Sequence, residues 1–194
     1  MSINVYTEAP EFVGERLFAE RLGALLDGQA HAWFGVNYLP GVNDIDVLLW
    51  HDAIGVFTIE VKAIPLAAIE SFSLTRCKIK DRVEGKSPHT QAQKAELSLR
   101  NYLGARGIKF FNVATAAFPK ISRAEWNLAW ASNLQLSGKW AETLIFQEDL
   151  QSGPEALLNR LKYIYLNPPS GAGSEYDFPN NPATFGKLKQ FISP

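Results

Sequence analysis

Apolar residues recur along this chain with two different periods, and the change of period divides it into helices and strands. Residues 10–26 show the helical period: at 100° per residue, Phe12, Phe18, Ala19, Leu22, Leu25 and Leu26 fall in one stripe. Pro10 and Glu11 suit the start of that helix and Asp27-Gly28 its end. Val13 and Leu17 lie on the far side, so the helix is expected to be covered on two sides, and Glu15 stands in the middle of the main stripe. Residues 32–38 read as a strand. Next come Asn43-Asp44-Ile45-Asp46-Val47-Leu48-Leu49-Trp50 and Gly55-Val56-Phe57-Thr58-Ile59-Glu60-Val61-Lys62, which read as a β-hairpin with residues 51–55 as its turn. That register sets Val47 opposite Ile59 and Asp46 opposite Glu60. Ile45, Val47, Leu49, Phe57, Ile59 and Val61 then share a core face, and Asp46, Glu60 and Lys62 share the other, with almost nothing polar on the first.

Residues 71–83 alternate again. Arg76, Lys78, Lys80 and Arg82 point one way and Cys77, Ile79, Asp81 and Val83 the other, which predicts one strand with a basic face. Ser87-Pro88 opens a second long helix as N-cap and first-turn proline, running to Leu103 with Gly104 or Gly107 closing it. Its apolar stripe is Ala92, Ala95, Leu99, Tyr102 and Leu103, with Gln91 at the edge. Residues 110–118 and 142–146 read as strands and 154–165 as a third helix with Leu157, Leu158, Leu161 and Ile164 on one side. The order predicts an α/β fold: a central mixed β-sheet flanked by helices, its antiparallel hairpin joined to a parallel part by the second helix. Residues 1–166 are expected to form the domain. Residues 167–194, rich in Pro, Gly, Ser and Asn, read as a tail or linker closing with a short element at 185–192.

Composition narrows this only slightly. The 194 residues carry a formal net charge of −1, so there is no global pull toward nucleic acid and any basic surface must be local. The lone Cys77 excludes a disulfide framework and a cysteine-based zinc site, and its alternation makes it a small buried hydrophobe. No apolar run approaches membrane-spanning length and the N-terminus has no signal-peptide pattern, so a cytoplasmic location is expected. His31, His51 and His89 lack ligand spacing, and Trp126, Trp130 and Trp140 are expected in the core rather than as base-stacking platforms.

The chemistry concentrates in the hairpin. Two carboxylates facing each other across a sheet repel, by ~3 kcal/mol at about 5 Å and an effective dielectric of about 20. A divalent cation between them reverses the sign. Asp46 and Glu60, with the Val61 carbonyl as a third donor, would hold one Mg²⁺ or Mn²⁺ and leave it several waters. Lys62 stands beside them to orient a water or stabilise charge on a phosphate. Asp44 shares the face of Asp46 and stays a rival for its role. Glu15, costly in an apolar stripe unless paired, would reach the metal, its waters or Lys62. Gln91 near the start of the second helix would bind a water or phosphate oxygen, where free backbone N–H groups also favour an anion. Arg76, Lys78, Lys80 and Arg82 are candidate contacts to a DNA backbone; the same face also suits an edge strand defended by charge.

Glu15 in Gly-Glu-Arg, Asp46 in Asn-Asp-Ile-Asp-Val-Leu-Leu, Glu60-Val61-Lys62 after Gly-Val-Phe-Thr-Ile, and Ser87-Pro88-His89-Thr90-Gln91-Ala92 at a helix start together resemble the nuclease-related domain, NERD, of the PD-(D/E)XK nuclease-like superfamily. The resemblance spans about residues 14–118. It implies a restriction-endonuclease-like core and Mg²⁺-dependent hydrolysis of DNA phosphodiesters. It also implies frequent fusion to a helicase or other DNA-processing module, and Pro119-Lys120-Ile121-Ser122-Arg123-Ala124-Glu125-Trp126 resembles the continuation of helicase-linked members. One departure stands out: Ile45 precedes the acid where the superfamily's name has proline. A non-catalytic DNA-binding or partner-docking module on the same fold, and an RNA-directed nuclease, are the rival readings. Endo- or exonucleolytic mode and a homodimeric state are left open by the sequence.

Overall fold

The computed structural model describes residues 4–6, 13–26, 28–108, 110–168 and 182–192. Among them, six strands form one mixed sheet: β1 (Asn4–Val5), β2 (Ala30–Val36), β3 (Ile45–His51), β4 (Gly55–Val61), β8 (Asn112–Phe118) and β9 (Ile145–Phe146), side by side in that order. β1 lies parallel to β2, and the β2–β3 and β3–β4 pairs are antiparallel. β8 lies parallel to β4 and β9 parallel to β8. Parallel neighbours need a crossover, and between β4 and β8 it consists of a small three-stranded sheet, β5 (Ile69–Phe72), β6 (Arg76–Ile79) and β7 (Gly85–Lys86), followed by helix α2 (Pro88–Gly104). The α/β class with a mixed sheet and flanking helices is therefore as expected.

The hairpin holds the expected register, Val47 opposite Ile59, but its turn is tighter. His51 pairs with Gly55, leaving residues 52–54 as the turn. Gly55 is required there twice over: its φ is +121°, and a Cβ would stand 2.7 Å from the Tyr165 ring.

Both faces of the sheet are covered. On one, α1 (Val13–Leu25) and α5 (Pro154–Leu166) bury Phe18, Leu22, Leu157, Leu161 and Ile164 against Val47, Leu49, Phe57, Ile59 and Val61. On the other, α2 and α6 (Pro182–Ile192) bury Ala95, Leu99, Leu103, Leu188 and Ile192 against Trp33, Leu48, Trp50 and Val56. Here the expectation of a polar hairpin face needs correction. Asp46 and Glu60 share their side with Leu48, Trp50 and Val56, so the polar residues occupy only one end of a face that is otherwise core. Strands next to the parallel part of a sheet are buried on both sides and lose their alternation. Ile45, before the first β3–β4 pair, joins the α2-side cluster.

The single basic strand expected over 71–83 is also corrected. Residues 73–75 turn the chain between β5 and β6, with the Ser73 hydroxyl bonded to Arg76 N–H at 3.0 Å. A second reversal at Asp81, φ +59°, separates β6 from β7. Val83, expected inward, is 94% exposed.

A third cluster packs Phe72, Cys77 and Phe118 against Trp126 of α3 (Arg123–Ala129), with Trp130 and Trp140 partly buried beside them. The strand expected at 142–146 shortens to β9, preceded by a 3₁₀ turn at Ala141–Thr143 and followed by α4 (Gln147–Gln151). Pro10, Phe12 and Asp27 lie outside the described residues, as does most of the Pro/Gly-rich stretch expected as a linker. Beyond it Tyr38 Oη donates to the Ile192 carbonyl at the end of α6.

Candidate active site

α2 covers the even-numbered face of β4 only as far as its own first turn. Ser87 caps it, accepting the Thr90 N–H at 3.2 Å, and Pro88 suits the first helical position. Val56 lies under the body of the helix, whereas Glu60 emerges at the helix start. The result is a cleft of about 290 Å³ lined by Asn43, Asp44, Asp46, Glu60, Lys86, Gln91 and Lys94. A second chamber of about 200 Å³ shares Lys86 and Gln91 with it and is completed by Lys62, Cys77, Ile79, Arg82, Val83, Gly85 and Pro88.

The three central side chains meet. Lys62 Nζ lies 2.7 Å from Glu60 Oε1, and Asp46 Oδ2 accepts the Val61 N–H at 2.8 Å. Glu60 is only 6% exposed. Burial first, then the Asp46 charge, push its carboxyl up to about 7 against the pull of Lys62. Burial raises Asp46 as well, opposed by the Val61 N–H and Lys62. Burial lowers Lys62, but the charges of Glu60, Asp46 and Glu15 outweigh it and the net shift is upward. Both acids ionised together would carry more negative charge than one ammonium neutralises, and the upward shifts of Glu60 and Asp46 express that cost.

Glu15 lies in the first turn of α1, half-buried, and its charge reaches both Glu60 and Lys62. Gly14 makes this approach possible: a Cβ there would stand 2.5 Å from the Ala63 Cβ, next to Lys62. Gln91 faces both chambers, its Nε2 donating to the Lys86 carbonyl at 3.1 Å. Asp44 lines the same cleft and raises Asp46 by its charge, while Asp46 alone of the two takes the Val61 N–H.

The four candidate DNA contacts separate. Arg82 lines the second chamber; Lys78 pairs with Glu70 at 2.7 Å; Arg76 stands opposite Lys86 in the β6–β7 register; Lys80 is exposed in the turn that follows β6. Lys86 and Lys94 were not picked out from the sequence. Lys94 is legible in hindsight, one turn beyond Gln91 on the same side of α2. Lys86 is not, because only the β6–β7 pairing brings it to the cleft. His89 is buried, edge-on to Trp140, and burial takes its imidazole down to about 4, so it stays neutral.

Among the described residues no three His, Cys, Asp or Glu side chains cluster as a ready-made metal site. Asp46 and Glu60 together in the cleft would suit a cation that keeps most of its waters. The elevated Glu60 carboxyl fits such a cation, because a positive charge between the acids removes the cost that burial and repulsion impose.

A mixed α/β sheet with two acids and a lysine at the open end of its central hairpin, under the start of a crossover helix, is a scaffold suited to hydrolytic phosphate chemistry. Residues 10–118 match the nuclease-related domain, NERD, and the chain belongs to that family. Comparison with curated proteins and with solved structures returned no match. No helix among the described residues is long and apolar enough to cross a membrane.

Proposed function

We propose that this protein is a Mg²⁺- or Mn²⁺-dependent deoxyribonuclease that hydrolyses phosphodiester bonds with a water molecule. The observation that supports it most is the meeting of Asp46, Glu60 and Lys62 where the acid cleft adjoins the second chamber, with Lys62 at 2.7 Å from Glu60 and the field of Glu15 on both. Asp46 and Glu60, with the Val61 carbonyl, would hold the cation. When bound, it supplies positive charge against the phosphate and acidifies a water. Lys62 places an ammonium where charge develops on the phosphate, and its bond to Glu60 keeps it aimed there. Glu15 biases Lys62 toward its charged form. Gln91, at the start of α2, offers an amide to a water or phosphate oxygen.

Cleavage of supercoiled plasmid and of labelled single-stranded, duplex and RNA oligonucleotides tests the reading. Cutting with Mg²⁺ or Mn²⁺ and none in EDTA is expected, with Glu60→Ala and Lys62→Ala each reducing the rate by at least about 10²-fold. Variants that cut as well as the wild type would remove the assigned site. Salt-dependent binding without cutting would instead favour a non-catalytic DNA-binding module, and RNA cut in preference to DNA would move the substrate class.

A further inference from the structure

The second chamber is unlike the first in charge. Its lining includes three cations, Lys62, Arg82 and Lys86, and the amide of Gln91, but no carboxylate. Among the described residues neither Arg82 nor Lys86 forms an ion pair. Glu84 sits on the same loop but is not part of the chamber wall. Lys86 also faces the acid cleft, where its ammonium beside Lys94 lowers that lysine below its ordinary range. Arg76 adds a third positive charge to the pair. Like charges gathered this closely repel, and an anion between them relieves the repulsion. The rest of the wall is apolar: Ile79, Pro88 and Val83, the last 94% exposed on the loop between β6 and β7. The chamber, about 200 Å³, is below the ~300–1,000 Å³ of pockets that enclose a whole small molecule. Two small chambers sharing the Lys86–Gln91 wall suit successive units of a charged polymer.

Resting on the nuclease reading of the cleft, we propose that the second chamber is a nucleotide subsite. In it Lys62, Arg82 and Lys86 hold the DNA phosphate next to the one at Asp46 and Glu60, and Ile79 and Val83 flank its sugar or base. Lys62 then touches both units. Its ammonium is bonded to Glu60 while its side chain lines the neighbouring chamber, so occupancy of the subsite bears directly on the lysine beside the acids.

The test uses full-length Glu60→Gln protein, silenced for cutting, and a fluorescein-labelled duplex oligonucleotide followed by anisotropy from about 50 to 200 mM salt. Adding Arg82→Ala and Lys86→Ala is expected to weaken binding at least tenfold and to lower the log–log salt slope by about two. Arg82→Lys with Lys86→Arg, which keeps both charges, is expected to restore most of the affinity. A control carrying Lys139→Ala and Lys162→Ala, two exposed lysines outside both chambers, is expected to bind like its parent. Equal loss in the control reduces the effect to bulk charge and overturns the subsite, as does unchanged binding in the double variant. Cutting by the wild type is read separately. If the double variant loses affinity and the wild type does not cut, the subsite stands and the nuclease reading falls. If the wild type neither binds nor cuts, both fall.

Discussion

At Glu60, burial and a neighbouring acid act in the same direction, and Lys62 offsets only part of their sum. The carboxyl titrates near 4.5 when unfolded and near 7 in the folded chain. Between those values the folded state holds more protons than the unfolded one, so the contribution of this carboxyl is least unfavourable below about pH 4.5 and becomes destabilising as pH rises toward 7. In EDTA, urea unfolding of the wild type at pH 5 and pH 8 should therefore show a loss that Glu60→Gln, which cannot ionise, largely escapes. Equal losses in both would place the proton elsewhere. Gly14 is a second residue-scale case. Its Cβ-free backbone lets the first turn of α1 lie against Ala63. Gly14→Ala should cost about 1–3 kcal/mol by overpacking and, by pushing Glu15 off Lys62, lower cleavage more than stability. Cleavage rates beside a denaturation curve check this, and loss of both in proportion would make Gly14 merely structural. Asp46, Glu60 and Lys62 were legible in the sequence because alternation along two strands is enough to put them on one face. Lys86 was not, because a two-residue strand has no pattern to read.

Elements decide how the site is framed. Ser87 both caps α2 and donates its hydroxyl to the Leu74 carbonyl at 2.5 Å, while Thr90 Oγ1 bonds the same carbonyl at 3.0 Å. The start of the crossover helix is thereby fastened to the β5–β6 turn, which holds the wall of the second chamber. Ser87-Pro88 announced the helix start; the carbonyl it binds, 13 residues back, could be found only in space. At the other end of the sheet, Asp149 is buried among Arg123 (2.8 Å), Arg160 (3.1 Å) and the Phe146 N–H (2.9 Å), and ties α3, α4 and α5 together. Removing one partner of a buried ionic network leaves the others uncompensated, so Asp149→Ala should cost about 3–5 kcal/mol. Thermal or urea unfolding reads this directly, and a loss under about 1 kcal/mol would mean that the arginines find other partners. The helices α3 and α4 were missed in the sequence because each is shorter than two full apolar repeats, although the Ser122–Glu125 capping box was there to be read.

For the whole molecule, the family match ends at residue 118, but the core does not. Leu157, Leu161 and Ile164 of α5 close one face of the sheet, and Leu188 and Ile192 of α6 help close the other. A chain cut after residue 120 would keep α1 and α2 but lose β9, α5 and α6, uncovering part of each face of the sheet. It is expected to lose cooperative unfolding and to aggregate, as circular dichroism and size-exclusion chromatography would show. A truncated chain that still melts cooperatively would place the stability of the fold within the matched segment alone.

The sequence by itself determined the period of each long element, the hairpin register, the start of α2 and the face on which the two acids and the lysine meet. Those depend on neighbours two to four residues apart, or on a turn that fixes pairing. Only the tertiary structure decided that the polar face is polar at one end alone, that 71–83 folds back on itself, and that Lys86 and Lys94 overlook the acids. Each of these depends on packing between segments far apart in the chain. There burial, rather than local periodicity, sets which side chain is covered and which faces the cleft.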